Sequence, residues 1–168
     1  ACVFQFVAYI PQKVHGWAPG HYSLMVVVGG GFGIIGNVVA GRMGDRRGRR
    51  LVGALFFGLY PAAAWLFYQG PGLSIPLAFA LIVFTGTAGG VILRTLATEL
   101  FPTSYRSTAS AWLAFIQTLG WTAGLLLLGI AGEDAGDIAR FTAQLSLAVL
   151  LGGLLILLLP ETSRRELE

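Results

Sequence analysis

The chain has 168 residues, of which 55% are hydrophobic and only 11% charged, with 24 glycines, a formal net charge of +3 and a mean hydropathy of +0.74. A water-soluble domain is usually about one quarter charged, so this composition excludes an ordinary soluble fold and makes lipid the solvent. A lone cysteine, Cys2, excludes an internal disulfide, and His15 and His21 form no metal-binding pattern with it.

A hydrocarbon core roughly 30 Å thick takes about 20 apolar residues per crossing helix. Residues 1–10 are apolar but half that length, and they read as the tail of a truncated helix. A signal peptide is the weaker reading, because no basic stretch precedes them and no small-residue cleavage pattern follows. Residues 11–20, bracketed by Pro11 and Pro19, read as a loop. Five complete spans follow, at 21–40, 51–69, 72–98, 107–131 and 138–159. Breakers fall between them at Gly70-Pro71-Gly72, Pro102 and Pro160. Pro61 and Pro76 lie inside or near the start of spans, which membrane helices tolerate. Runs such as 147–159 lack the alternating polarity of a membrane barrel. The expected fold is an all-α membrane protein with about six transmembrane helices, the first truncated, forming one unit over residues 1–168.

Between the first two complete spans, residues 41–50 pack five arginines and Asp45 into a short loop. With alternating spans, Arg42, Arg46, Arg47, Arg49, Arg50, Arg106, Arg164 and Arg165 fall on one side, against Lys13 and Arg140 on the other. The positive-inside rule makes the first side cytoplasmic. The basic excess is thereby explained by topology, without nucleic acid. The opposite turn, Glu133 to Asp137, reads as solvated.

Three segments carry a family resemblance. Gly41-x3-Asp45-Arg46-x-Gly48-Arg49-Arg50 resembles the loop signature of the major facilitator superfamily. Glu99-x6-Arg106 is similar to the element ending the tenth helix in sugar-porter-like and organic-ion-transporter-like members. Pro160-Glu161-Thr162 resembles the motif after the twelfth helix. Their order matches the C-terminal half of that twelve-helix fold. The resemblance implies a chain running from partway through the seventh helix to the cytoplasmic tail at 160–168. It also implies an N-terminal six-helix half as partner, a plasma (inner) membrane location, and transport of a small organic solute by alternating access, with a proton as one candidate co-substrate. No cofactor, metal or enzymatic constellation is expected; a receptor or scaffold built on the same helices is the rival reading.

Asp45, Glu99 and Glu161 are acids placed at span ends on the basic side, at the depth of Arg49, Arg50 and Arg106. Guanidinium groups grip carboxylates through paired hydrogen bonds, so these residues can tie helix ends together. Exposed ion pairs are worth about 0–1 kcal/mol each, which suits a latch that must open. The resemblance implies that Gly41, Asp45, Arg46, Gly48, Arg49, Arg50, Glu99, Arg106 and Glu161 form a cytoplasmic gate. For the arginines the simpler alternative is orientation and binding of anionic head groups.

Arg94 lies inside a span, where an ionisable side chain is costly and marks function by default. It is five residues before Glu99, about 7.5 Å deeper along a helix. The resemblance places it where sugar porters carry a tryptophan, which weakens a sugar substrate and favours a carboxylate. Pairing with a gate carboxylate is the alternative. Gln117, Trp121, Asn37, Thr87 and Tyr9 are further candidates to line a cavity, against plain interhelical hydrogen bonding. Gly29-x3-Gly33 and Gly120-x3-Gly124 read as packing faces, and Gly89-Gly90 as a flexible point.

Overall fold

A computed structural model describes residues 2–131 and 134–162. Arg164, Arg165 and Glu133, which entered the charge reading above, lie outside the described residues. Every described element is helical. In chain order they are α1 (Cys2–Gln5), α2 (Tyr9–Lys13), α3 (Pro19–Arg47), α4 (Arg49–Gln69), α5 (Ile75–Glu99), α6 (Arg106–Ala131), α7 (Ala135–Ser146) and α8 (Ala148–Leu158). Among the described residues five stretches are long and apolar enough to cross a membrane: Pro19–Arg47, Arg49–Gln69, Gly72–Glu99, Thr103–Ile130 and Ala135–Leu158.

Three boundaries differ from the sequence expectation, each for a local reason. The first segment is two short helices, α1 and α2, and α2 runs through Pro11 to Lys13. Pro11 therefore does not open a loop; in a short helix its missing N–H costs little, since the first turn has no internal acceptors for its donors. The basic segment is not a ten-residue loop either. No proline separates Ala40 from Arg47, and arginine is a good helix former that outweighs Gly41 and Gly44. α3 therefore continues to 29 residues, about 44 Å at 1.5 Å per residue, and only Gly48 separates it from α4. Arg46 and Arg47 occupy its last turn, where cations complement the helix dipole.

The last span is also interrupted. α7 and α8 meet at Leu147, whose N–H donates to Gln144 O at 3.0 Å. The carbonyl it would ordinarily reach, Ala143 O, accepts from the Ser146 hydroxyl at 2.6 Å. A side-chain donor thus competes for a backbone acceptor and the ladder slips. By contrast α5 runs unbroken through Gly89-Gly90, so the expected flexible point is a regular helix. Gly89 serves packing: a Cβ there would stand 3.3 Å from the Phe57 ring.

The bundle is organised by the seam between α3 and α5. The buried residues of α3 are Met25, Gly29, Gly33, Gly36, Ala40 and Gly44, at the three- and four-residue steps of one helix face. An added Cβ would lie 2.4 Å from Phe79 at Gly29, 2.9 Å from Val83 at Gly33, 2.5 Å from Phe84 O at Gly36 and 2.9 Å from Ile92 at Gly44. Each glycine is a notch for a named α5 residue, the small-residue packing that lets membrane helices approach without a hydrophobic driving force. Thr87 adds a bond across the seam, its hydroxyl lying 3.1 Å from Gly33 O.

Around that seam sit two apolar clusters. One gathers Val3, Val7, Ile10, Phe67, Phe79 and Ile82 with Ala139 and Ala143, away from the basic end. The other centres on Ile92, with Val52, Phe56, Leu96 and Ile156, toward the basic end. Ile92 fits between Gly44 of α3 and Gly53 of α4, each of which would place a Cβ 2.9 Å from it. α6 takes little part, with 11% of its apolar window buried.

Candidate functional site

Two sites emerge, joined by α5. At the basic end, the Arg49 guanidinium contacts Glu99 at the end of α5 and donates to Asp45 Oδ1 at 3.1 Å, one turn back on α3. Arg49 and Glu99 side chains are each 14% exposed, whereas Asp45 is 68% exposed. Removing either partner of the Arg49–Glu99 pair would strand a mostly buried charge.

Glu161 binds differently from the expectation. Its carboxylate accepts from the backbone N–H of Arg49 at 2.9 Å and of Arg50 at 3.3 Å. These are the first two residues of α4, whose N–H groups have no partner within the helix. A carboxylate there also meets the positive end of the helix dipole. Such a cap is worth about 1–3 kcal/mol. Gly48 makes it possible in two ways. Its φ of +96° suits glycine, and a Cβ would stand 2.7 Å from Glu161 Oε2. The Arg50 guanidinium in turn donates to Leu157 O at the end of α8. One cluster thus ties together the ends of α3, α4, α5 and α8.

Other residues of the basic signature stand apart. Arg106 is not joined to Glu99; its Nε donates to Phe101 O at 3.4 Å, because Pro102 and the tight turn Thr103–Tyr105 intervene between the two helices. Arg46 is exposed and has no ion pair among the described residues. At Gly41 an added Cβ would meet open space.

The second site is a cavity of about 580 Å³, about one and a half to four turns deeper along α5. Asn37 of α3, Thr87 and Arg94 of α5, and Gln117 and Trp121 of α6 all line it. Sequence reasoning named all five but passed over Gln5, Phe56, Phe57, Tyr60 and Thr85, which line it too. A lone amide in an apolar run was the available signal for Gln5; the aromatic residues carry none, being indistinguishable from core in a linear reading. Tyr9 is absent from the lining among the described residues and packs edge-on against Phe6, ring centres 6.3 Å apart.

The polar lining divides into used and unused groups. Thr87 reaches Val83 O at 2.8 Å and Gly33 O, and Thr85 reaches Leu81 O at 2.7 Å. Arg94, Asn37, Gln117 and the Trp121 indole have no such partner among the described residues. No three-residue group of His, Cys, Asp and Glu suited to a metal occurs among the described residues.

A family model described as Major Facilitator Superfamily matches residues 2–168. The chain belongs to that superfamily. Comparison with curated proteins and with solved structures gives no match. Membership in the superfamily makes the chain part of a multi-pass integral membrane protein for transmembrane transport of small solutes, and not an enzyme. The all-helical architecture with five candidate spans agrees with it.

Proposed function

We propose that the chain is the C-terminal six-helix half of a major facilitator transporter of the sugar-porter-like or organic-ion-transporter-like branch. It moves a small organic solute by alternating access across a plasma (inner) membrane, with its basic end and C-terminus in the cytoplasm. The branch is supported by Glu99-x6-Arg106 and Pro160-Glu161-Thr162, and the sidedness by the excess of arginine on one side. The observation that carries the reading is that one helix serves both sites: α5 presents Arg94 to the cavity and, five residues on, Glu99 to the ionic cluster.

In this reading Asn37, Thr87, Arg94, Gln117 and Trp121 face the solute, and the cluster of Asp45, Arg49, Arg50, Glu99 and Glu161 with Gly48 acts as a brace within this half. Every bond of that cluster described above joins helices of the same half. The brace therefore keeps four helix ends together while the half moves as one body against its N-terminal partner, as repeats rock around a central site. The surface left for a contact that forms and breaks with each cycle is the exposed carboxylate of Asp45, with Arg46 next to it in sequence and Arg106 on the same basic end. Gly41 gives the backbone clearance at that surface.

The test is uptake by the reconstituted full-length transporter in proteoliposomes, with and without a proton gradient. Accumulation that needs the gradient identifies symport, and exchange without it identifies facilitated movement. Absence of protein-dependent flux for sugars, organic acids and amines alike would overturn the reading.

A further inference from the structure

We infer that the solute taken by this cavity is a monoanion with an apolar body, a monocarboxylate whose charge is received by Arg94; the inference rests on the transport reading above. Arg94 is the one cation lining the cavity among the described residues, and no aspartate or glutamate lines it with Arg94. It is also uncommitted. Arg49 and Arg50 at the helix ends have acceptors, whereas Arg94, exposed on the cavity wall, has neither an ion pair nor a hydrogen bond among the described residues.

An unpaired guanidinium within a membrane span is costly, and a carboxylate entering the cavity relieves that cost through two parallel N–H···O bonds. The count of charges sets the class. On the wall that this half supplies, one cation without an acid neutralises one negative charge. An ammonium group would meet the guanidinium with no carboxylate to receive it.

The remaining lining sets the body. With the Thr85 and Thr87 hydroxyls turned to helix carbonyls, the polar groups left free beside Arg94 are the amides of Gln5, Asn37 and Gln117 and the Trp121 indole. The walls are Phe56, Phe57, Leu93 and Val149. The volume of about 580 Å³ lies within the usual range of small-molecule pockets, about 300–1,000 Å³.

The experiment uses the full-length transporter in proteoliposomes and follows counterflow of labelled phenylacetate. Competitors are unlabelled phenylacetate, phenylacetamide, phenethylamine, phthalate and glucose. The acid should compete at least tenfold better than the amide, the amine, the dianion or the sugar. Arg94→Ala should reduce phenylacetate transport roughly tenfold to a hundredfold, the loss of a charge-assisted hydrogen bond, and Arg94→Lys should recover part of it. The comparison of acid with amide on the unmodified protein needs no variant, so a misfolded Arg94→Ala does not remove the test. Transport of glucose or the amide in preference to the acid, or an Arg94→Ala protein within twofold of the original, overturns the inference and leaves the transport reading standing. Absence of flux for every solute overturns both.

Discussion

α5 and α6 are both long apolar helices, and both border the cavity, yet 56% of the apolar window containing α5 is buried against 11% for that containing α6. Hydropathy brings each of them into the bilayer but does not decide which becomes the centre of the bundle. The deciding feature lies on a neighbour: α3 offers a row of glycine notches that receive Phe79, Val83, Phe84 and Ile92 of α5. Among the described residues no such row is seen facing α6, and Gly120 and Gly129 on it have open space beside their Cα atoms, though Gly124 is buried. A helix is held in this protein by the shape of its partner more than by its own apolarity.

Substitutions along the seam and on α6 test that contrast, beginning with the largest effect. Gly36→Leu should destroy the folded state or cost more than about 4 kcal/mol, because the new side chain meets the backbone oxygen of Phe84 at 2.5 Å from its Cβ onward. Loss of monodisperse protein in detergent chromatography would report it; a Gly36→Leu protein with an unchanged melting temperature would break the seam argument. Gly48→Ala should cost about 2–3 kcal/mol, combining a φ of +96° with displacement of Glu161. Glu161→Ala removes the cap without the backbone strain and should cost about 1–3 kcal/mol, with Glu161→Gln recovering part of it. Measured together by thermal melts, the two separate backbone strain from capping. Gly120→Ala should be neutral, or stabilising by up to about 1 kcal/mol through helix propensity. If it costs as much as Gly36→Leu, α6 is packed as tightly as α5 by elements beyond those described.

Much of this was legible in the sequence because the physics involved is local. Span positions follow from apolar length, and Gly29-x3-Gly33 announces a packing face. The meeting of Asn37, Thr87, Arg94, Gln117 and Trp121 at one cavity follows from polar residues being rare in spans, so that the few present cluster where water or solute reaches. What was hidden depends on three-dimensional competition. Nothing in the order of residues shows that Ser146 takes a carbonyl from Leu147, or that Glu99 meets Arg49 and not Arg106. Charge counting pairs carboxylates with guanidinium groups, and it had no means to find Glu161 on backbone N–H groups.

The helix cap also carries a consequence for biogenesis. Glu161 lies 112 residues beyond the Arg49 N–H that it receives. At a synthesis rate of about 5–20 residues per second, α4 waits roughly 6–22 s between its own emergence and that of its cap. During that interval the start of α4 is open, and the four-helix knot at the basic end is unclosed.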